Sequence, residues 1–344
     1  MKKFLIKLSY TVFPLWIIIV GIVFYISLYV DPRSGGDIGR LACIPFGNQY
    51  RQMLNKNLIE DTLFQTTESI NDLKFIHTDV LTIGDSFSQQ GNGGYQNYLC
   101  EKGVTVINYQ SHLFGDPLQC TCSLLEYGII DSTNIKVLVV ESVEREISNR
   151  FNNTKVDKPQ TRWNPDKKGK EQNIMKSANA WSVSRARDFI YYKLGKKNSP
   201  IYVANLEKDF FSSSEPRKLY FYHDDIERGT KIEGECAKKA KQVFEYMQKK
   251  AKEKGISIIF LIAVDKYDLY QSHIVNNKYP AKTINEDLVN AIGENSSLLI
   301  TKQYLYPLVE KGEKDVFKFD DTHWSYKASK VVADELYNRI QNGL

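Results

Sequence analysis

Cysteine is sparse, and the five present (Cys43, Cys100, Cys120, Cys122 and Cys236) fit no zinc-binding spacing. A zinc finger or ribbon is therefore excluded. The odd count leaves at least one thiol unpaired. An oxidising compartment would allow one bridge, Cys100 with Cys120 or Cys122, and buried free thiols are the alternative. Charge of one sign is also missing: 46 Lys and Arg are interspersed with 41 Asp and Glu, for a formal net charge of +5. Such a balance is not the footprint of a dedicated nucleic-acid binder, although a mildly basic surface suits an anionic glycan or a membrane. No internal repeat or low-complexity tract is present. The chain is 42% hydrophobic, enough to bury a sizeable core.

Long apolar runs are absent except for one at the N-terminus. Lys2, Lys3 and Lys7 precede an uncharged stretch from Leu8 to Val30, which Asp31, Pro32 and Arg33 close. A helix needs roughly 20 apolar residues to cross a bilayer, and this stretch supplies them. A cleaved signal peptide would have a shorter apolar core and a small-residue cleavage site. The expectation is a single-pass anchor, late cleavage being the alternative, with the lysines holding the N-terminus in the cytoplasm and the rest of the chain outside, in the periplasm if the cell is Gram-negative.

Residues 31–76 show no strong periodicity and read as a connector that packs onto the domain. Five short apolar runs then read as buried strands: Asp79–Ile83, Val104–Ile107, Ile135–Val140, Ile256–Ile262 and Ser297–Ile300. Between them lie helical stretches, Pro117 to Ile130 and Ala237 to Lys254, and a last one from Ser325 to Ile340 with Ser325 as its N-cap. Strands alternating with helices predict an α/β domain over 77–344, with a five-stranded parallel sheet flanked by helices. The segment at about 149–234, with Trp163, Trp181 and Tyr220-Phe221-Tyr222, breaks the alternation and reads as an insertion. It either caps the active-site edge or decorates the fold.

Gly84-Asp85-Ser86-Phe87-Ser88 follows the first strand directly. A serine at the carboxyl end of a strand stands where open α/β sheets place ligands, and a helix starting there turns N–H groups toward an oxyanion. The tripeptide alone is common in turns. Its partner is Asp320-Asp321-Thr322-His323-Trp324-Ser325, which opens the final helix. A serine hydroxyl needs a base, and the base needs a carboxylate to fix its tautomer. Of five histidines, His323 alone follows an acid two or three residues upstream in a loop.

These residues resemble the SGNH hydrolase superfamily. Four motifs are similar to its alginate O-acetyltransferase group: Gly84-Asp85-Ser86-Phe87, Val140-Glu141-Ser142-Val143-Glu144-Arg145, Val264-Asp265-Lys266 with Tyr270, and Asp321-Thr322-His323-Trp324. The order departs from that group, where the Asp-Thr-His-Trp motif precedes Gly-Asp-Ser. The superfamily's block with an oxyanion-hole asparagine is not visible, and Glu141 to Arg145 takes its place. The resemblance implies an SGNH-type, flavodoxin-like fold with Ser86 as nucleophile, His323 as base and Asp321 as third member, Asp320 being the alternative. It implies oxyanion donors at Ser86 and at Gln110 or Gly115, and substrate contacts from Arg145, Lys266, Tyr270 and Trp324. For Arg145 a salt bridge to Glu141 or Glu144 is the competing role, and for Lys266 and Tyr270 it is packing. The implied activity is acetyl transfer onto an extracytoplasmic polysaccharide without metal or cofactor. A membrane-bound O-acyltransferase would supply the acetyl group. A carbohydrate esterase and a catalytically silent glycan-binding protein are the alternatives.

Overall fold

The computed structural model describes residues 2–29, 36–42, 44, 46, 49–73, 77–110, 116–156, 183–195, 199–293 and 295–342. Among the described residues eight strands form: β1 (Gln65–Thr67), β2 (Val80–Ile83), β3 (Val106–Tyr109), β4 (Val137–Val143), β5 (Ile201–Asn205), β6 (Lys218–Tyr222), β7 (Ser257–Ala263) and β8 (Leu298–Ile300). Six make one parallel sheet in the order β1-β3-β2-β4-β7-β8. All five expected strands are there, and the expectation of five is corrected by β1. That strand comes from the connector and extends the edge beside β3, where its three residues carry too little apolar signal to be read as a strand.

Without β1 the strands run 2-1-3-4-5, one of the two common orders of doubly wound sheets. The order reverses at β2, so the ligand crevice of such a sheet opens between the carboxyl ends of β2 and β4. Their near-continuous Val, Ile and Leu follow from cover on both faces. Val80, Val139, Ile259 and Leu299 face one apolar layer with Leu99, Leu305, Val332 and Leu336. Leu81, Leu138, Phe260 and Ile300 face the other, with Leu125, Val243, Met247 and Leu288.

Local chemistry fixes the helix starts. The Asp116 carboxylate accepts the N–H groups of Leu118 and Gln119 at 2.8 and 3.2 Å, with Pro117 at the first helical position. The last helix, Tyr326–Gln341, is capped by Ser325, whose Oγ accepts from the Lys327 N–H at 3.2 Å. The helix Lys2–Tyr29 is long and apolar enough to cross a membrane over Ile6–Tyr25, and it exposes Phe13, Trp16 and Ile18.

The insertion contains helix Val183–Lys193 and the antiparallel pair β5 and β6. Tyr220 of β6 packs edge-on against Phe319 at 5.2 Å, and Phe211 and Phe46 surround the same ring. These aromatics support the loop that carries His323. Trp163 and Trp181 lie outside the described residues.

Candidate functional site

β2 delivers the chain to Gly84, where an added Cβ would overlap Ser88 Oγ and Glu141, including Glu141 Cβ at 2.7 Å. Only glycine lets the turn pass this close to β4. A 3-10 turn, Ser86–Gln89, follows. The Asp85 N–H donates to Glu141 Oε2 at 2.8 Å, and Ser88 Oγ donates to the same oxygen at 2.9 Å. Asp85 Oδ2 accepts from Val143 N–H at 3.2 Å and from Arg150 at 2.5 Å. Burial and the neighbouring Asp85 charge hold the Glu141 pKa well above the usual carboxylate range. Burial also opposes ionisation of Asp85, but Arg150 outweighs it and keeps this carboxyl low. The result is a neutral Glu141 beneath an ionised Asp85. Ser86 sits half-buried on this base, and its N–H and Oγ bond to no described residue.

The histidine loop is held from two sides. The Lys318 N–H donates to His323 O at 3.1 Å, closing the bridge between Phe317 and Trp324. The Tyr50 hydroxyl accepts from Phe319 N–H at 2.9 Å and donates to Asp315 at 3.0 Å. Lys266 Nζ donates to the carbonyls of Lys318, Phe319 and Asp321 at 2.8, 2.8 and 3.1 Å. Burial pushes the Lys266 pKa down to about 7 despite nearby Asp320 and Asp321. Three carbonyl acceptors match the three protons of the ammonium form.

His323 Nδ1 is 2.8 Å from Asp321 Oδ1 and 3.2 Å from Asp37 Oδ2. Thr322 Oγ1 donates to Asp37 at 2.9 Å, and Arg51 Nη2 pairs with Asp321 at 2.9 Å. Burial works against the imidazolium, but Asp321 and Asp37 outweigh it and raise the His323 pKa to about 9. Asp320 faces elsewhere, accepting from Arg51 Nε at 2.6 Å and Gly36 N–H at 3.3 Å. Asp321 is therefore the residue that orients His323.

The two loops meet. The Phe87 ring lies 4.8 Å from His323 and 4.5 Å from Trp324, centroid to centroid. Lys318 Nζ donates to Gln90 Oε1 at 3.1 Å. That contact fixes the amide orientation and leaves Gln90 Nε2 buried without a partner. His323 Nε2 is likewise buried and unpartnered, so Ser86 and His323 are not hydrogen-bonded in this state.

The other expected contacts are corrected. Arg145 pairs with Asp265 at 2.7 Å and Asp225 at 3.4 Å, not with Glu141 or Glu144, and is enclosed in a buried charge network. Lys266 is committed to three carbonyls, Tyr270 is fully buried with its hydroxyl accepting from Phe317 N–H, and Trp324 is fully buried against Phe87. Lys266 and Tyr270 thus spend their polar groups inside the fold, whereas Trp324 keeps its Nε1–H buried without a partner beside His323. The Gln110 N–H is used by Thr67 O at 3.0 Å because β1 extends the sheet, so it cannot serve an oxyanion. Gly115 and Cys43 lie outside the described residues. Cys100, Cys120 and Cys122 are free thiols, so of the two alternatives the structure has the unbridged one.

Asp37, Asp321 and His323 present ligand atoms within 4.8 Å of one another, enough to hold a metal ion. Arg51 on Asp321 and Arg40 on Asp37 already place two cations on those carboxylates. The charges favour an imidazolium clamp over a divalent cation. Asp37, Arg51, Gln90 and the role of Glu141 were not anticipated from sequence. Asp37 reaches His323, and Arg51 reaches its partner Asp321, only through the tertiary fold, and no local pattern marks them. Comparison with known proteins gives no match: no family model, no curated protein and no solved structure aligns with the chain.

Proposed function

We propose that the chain is a serine O-acyltransferase of SGNH type that acetylates an extracytoplasmic polysaccharide. The observation that carries this reading is His323, with Nδ1 on Asp321 and its ring on Phe87, the residue after Ser86. This is the support a general base needs beside a serine at the sheet's switch point. Ser86 Oγ attacks the acyl carbonyl carbon while its proton passes to His323 Nε2. His323 then protonates the leaving alcohol, and acyl-Ser86 remains. An acceptor hydroxyl gives its proton to His323, attacks the acyl carbon and restores Ser86. The free Ser86 N–H and the unpartnered Gln90 Nε2 are the donors assigned to the oxyanion.

The apolar N-terminal helix suits a single-pass anchor with the catalytic domain outside. A membrane-bound O-acyltransferase then supplies the acetyl group from the same bilayer. The test is turnover of an activated acetyl ester by the full chain in micelles, with and without an oligosaccharide acceptor. Transfer to the acceptor, lost in Ser86→Ala and His323→Ala, is the expected result. Hydrolysis that no acceptor suppresses would make it an esterase, and no turnover with no acyl adduct would leave a glycan-binding role.

A further inference from the structure

A cavity of about 620 Å³ opens at the carboxyl end of the edge strand β8. That volume is in the range of small-molecule and saccharide sites. Three strand spacings separate β8 from β2 in the sheet order, about 14 Å at ~4.8 Å each, so the cavity is distinct from the Ser86 crevice.

Its lining is largely apolar, with Val289, Ile300 and Pro307, and a few polar groups are set into it in a particular way. Asn285 is 3% exposed, and its Nδ2 donates to Asp268 Oδ2 at 2.9 Å. A carboxylate can only accept, so this bond fixes the amide and leaves Oδ1 as a buried acceptor without a donor. Leaving such a group unmet is unfavourable, and a ligand with an O–H or N–H offsets it. Lys302 donates to Asp268 at 2.9 Å and to Glu286 at 2.8 Å. The one ammonium in the lining is already shared by two carboxylates, so an anion finds no free counter-charge. The carboxylates are in turn engaged, which gives a cation little to pair with. Asn290 and Gln303 are exposed at the cavity, and their amides bond to no described residue. Ser272 and Tyr306 add a hydroxyl pair 3.1 Å apart.

We propose that this cavity binds a neutral, hydroxyl-rich oligosaccharide, with one hydroxyl donating to Asn285 Oδ1 and others meeting the amides of Asn290 and Gln303. Its sense as an acceptor subsite rests on the polysaccharide reading of the Ser86 site, but its binding does not depend on Ser86 chemistry. A second, smaller recess continues from it along β8 past Asn295 and Ser296, sharing Val289, Ile300 and Gln303. Arg339 also lines that recess, but it is bonded to Glu335 and to the Ser296 and Leu298 carbonyls, so it too is already engaged.

The experiment uses the full chain in a zwitterionic, sugar-free detergent and follows saturation-transfer NMR titrations. The probes are neutral gluco- and N-acetylglucosamine oligosaccharides, an oligogalacturonate and a lysine-rich peptide. The expected result is saturable binding of a neutral oligosaccharide, weakened at least tenfold in the Asn290→Ala/Gln303→Ala variant and in Asn285→Leu, and unchanged in Ser86→Ala. The double variant alters exposed side chains, so it decides the matter even if Asn285→Leu does not fold. No saturable neutral binding, preference for the uronate or the peptide, or indifference to the double variant overturns the inference. Acyl transfer persisting without glycan binding would remove this cavity's role and leave the Ser86 reading intact. Glycan binding without any acylation of Ser86 would do the reverse.

Discussion

Asp37 Oδ2 stands 3.2 Å from Nδ1 of His323, so a residue from the segment between the apolar helix and the sheet helps set the charge of the histidine. An imidazolium cannot take the Ser86 proton. Activity on an activated ester is therefore expected to rise with pH through the His323 value of about 9. Removing one carboxylate lets burial count for more, so Asp37→Asn should shift the midpoint of the pH–rate profile to lower pH. An unshifted midpoint in that variant would mean that Asp37 does not act on the base.

Asp321 and Asp320 are adjacent but serve different partners. Asp321→Asn should cost on the order of 10⁴-fold in kcat, because the imidazole loses the group that fixes its tautomer. Asp320→Asn breaks the Arg51 pair and the Gly36 contact, so it should lower thermal stability more than activity. Steady-state kinetics and melting curves on both variants separate the two roles.

Stability should carry the same signature. His323 has its folded pKa raised from 6.5 to about 9, so its contribution is fully present below pH 6.5 and is lost as pH rises through 9. Lys266 acts with the opposite sign: its pKa is depressed from 10.5 to about 7, so the penalty for its charge is relieved as pH rises between those values. The quantity to measure is therefore the difference between wild type and His323→Gln in denaturant unfolding at pH 6 and pH 10. The wild-type advantage should shrink at the higher pH.

Gln90 offers a buried amide donor between the two loops. Gln90→Ala should lower kcat about 10²- to 10³-fold with little change in KM, the loss seen when one oxyanion donor is removed. Equal loss in kcat and in binding of a substrate analogue would make Gln90 a packing residue instead.

Gly84→Ala should destabilise the chain by about 1–3 kcal/mol or more, since the new methyl overlaps Ser88 and Glu141. Lys266→Met should cost at least about 3 kcal/mol, because three buried carbonyls lose their donor. Both are read from denaturant midpoints.

The sheet was legible because its strands are covered on both faces and so written as unbroken apolar runs; β1, three polar residues on an edge, left no such mark. Ser86 and His323 could be picked out because each sits in a short local motif. The orienting role of Asp321 was also local. What the sequence could not display was burial at the carboxyl edge. Lys266, Tyr270, Arg145 and Trp324 follow or adjoin strand and loop ends, where side chains often meet ligands, yet Phe210, Phe211 and Asp225 of the insertion close over the first three and Phe87 packs on Trp324. Asp37 and Arg51 carry no sequence signal for the converse reason, since nothing in a segment without periodicity says which of its charges turn inward.

The central claim is that Ser86 carries the acyl group. Its most direct test is intact-mass and peptide-map analysis of the full chain after brief exposure to an activated acetyl ester at pH 9. One acetyl adduct is expected, on the peptide containing Ser86, absent in Ser86→Ala and strongly reduced in His323→Ala. An unmodified Ser86 peptide, or an adduct that survives Ser86→Ala, would contradict it.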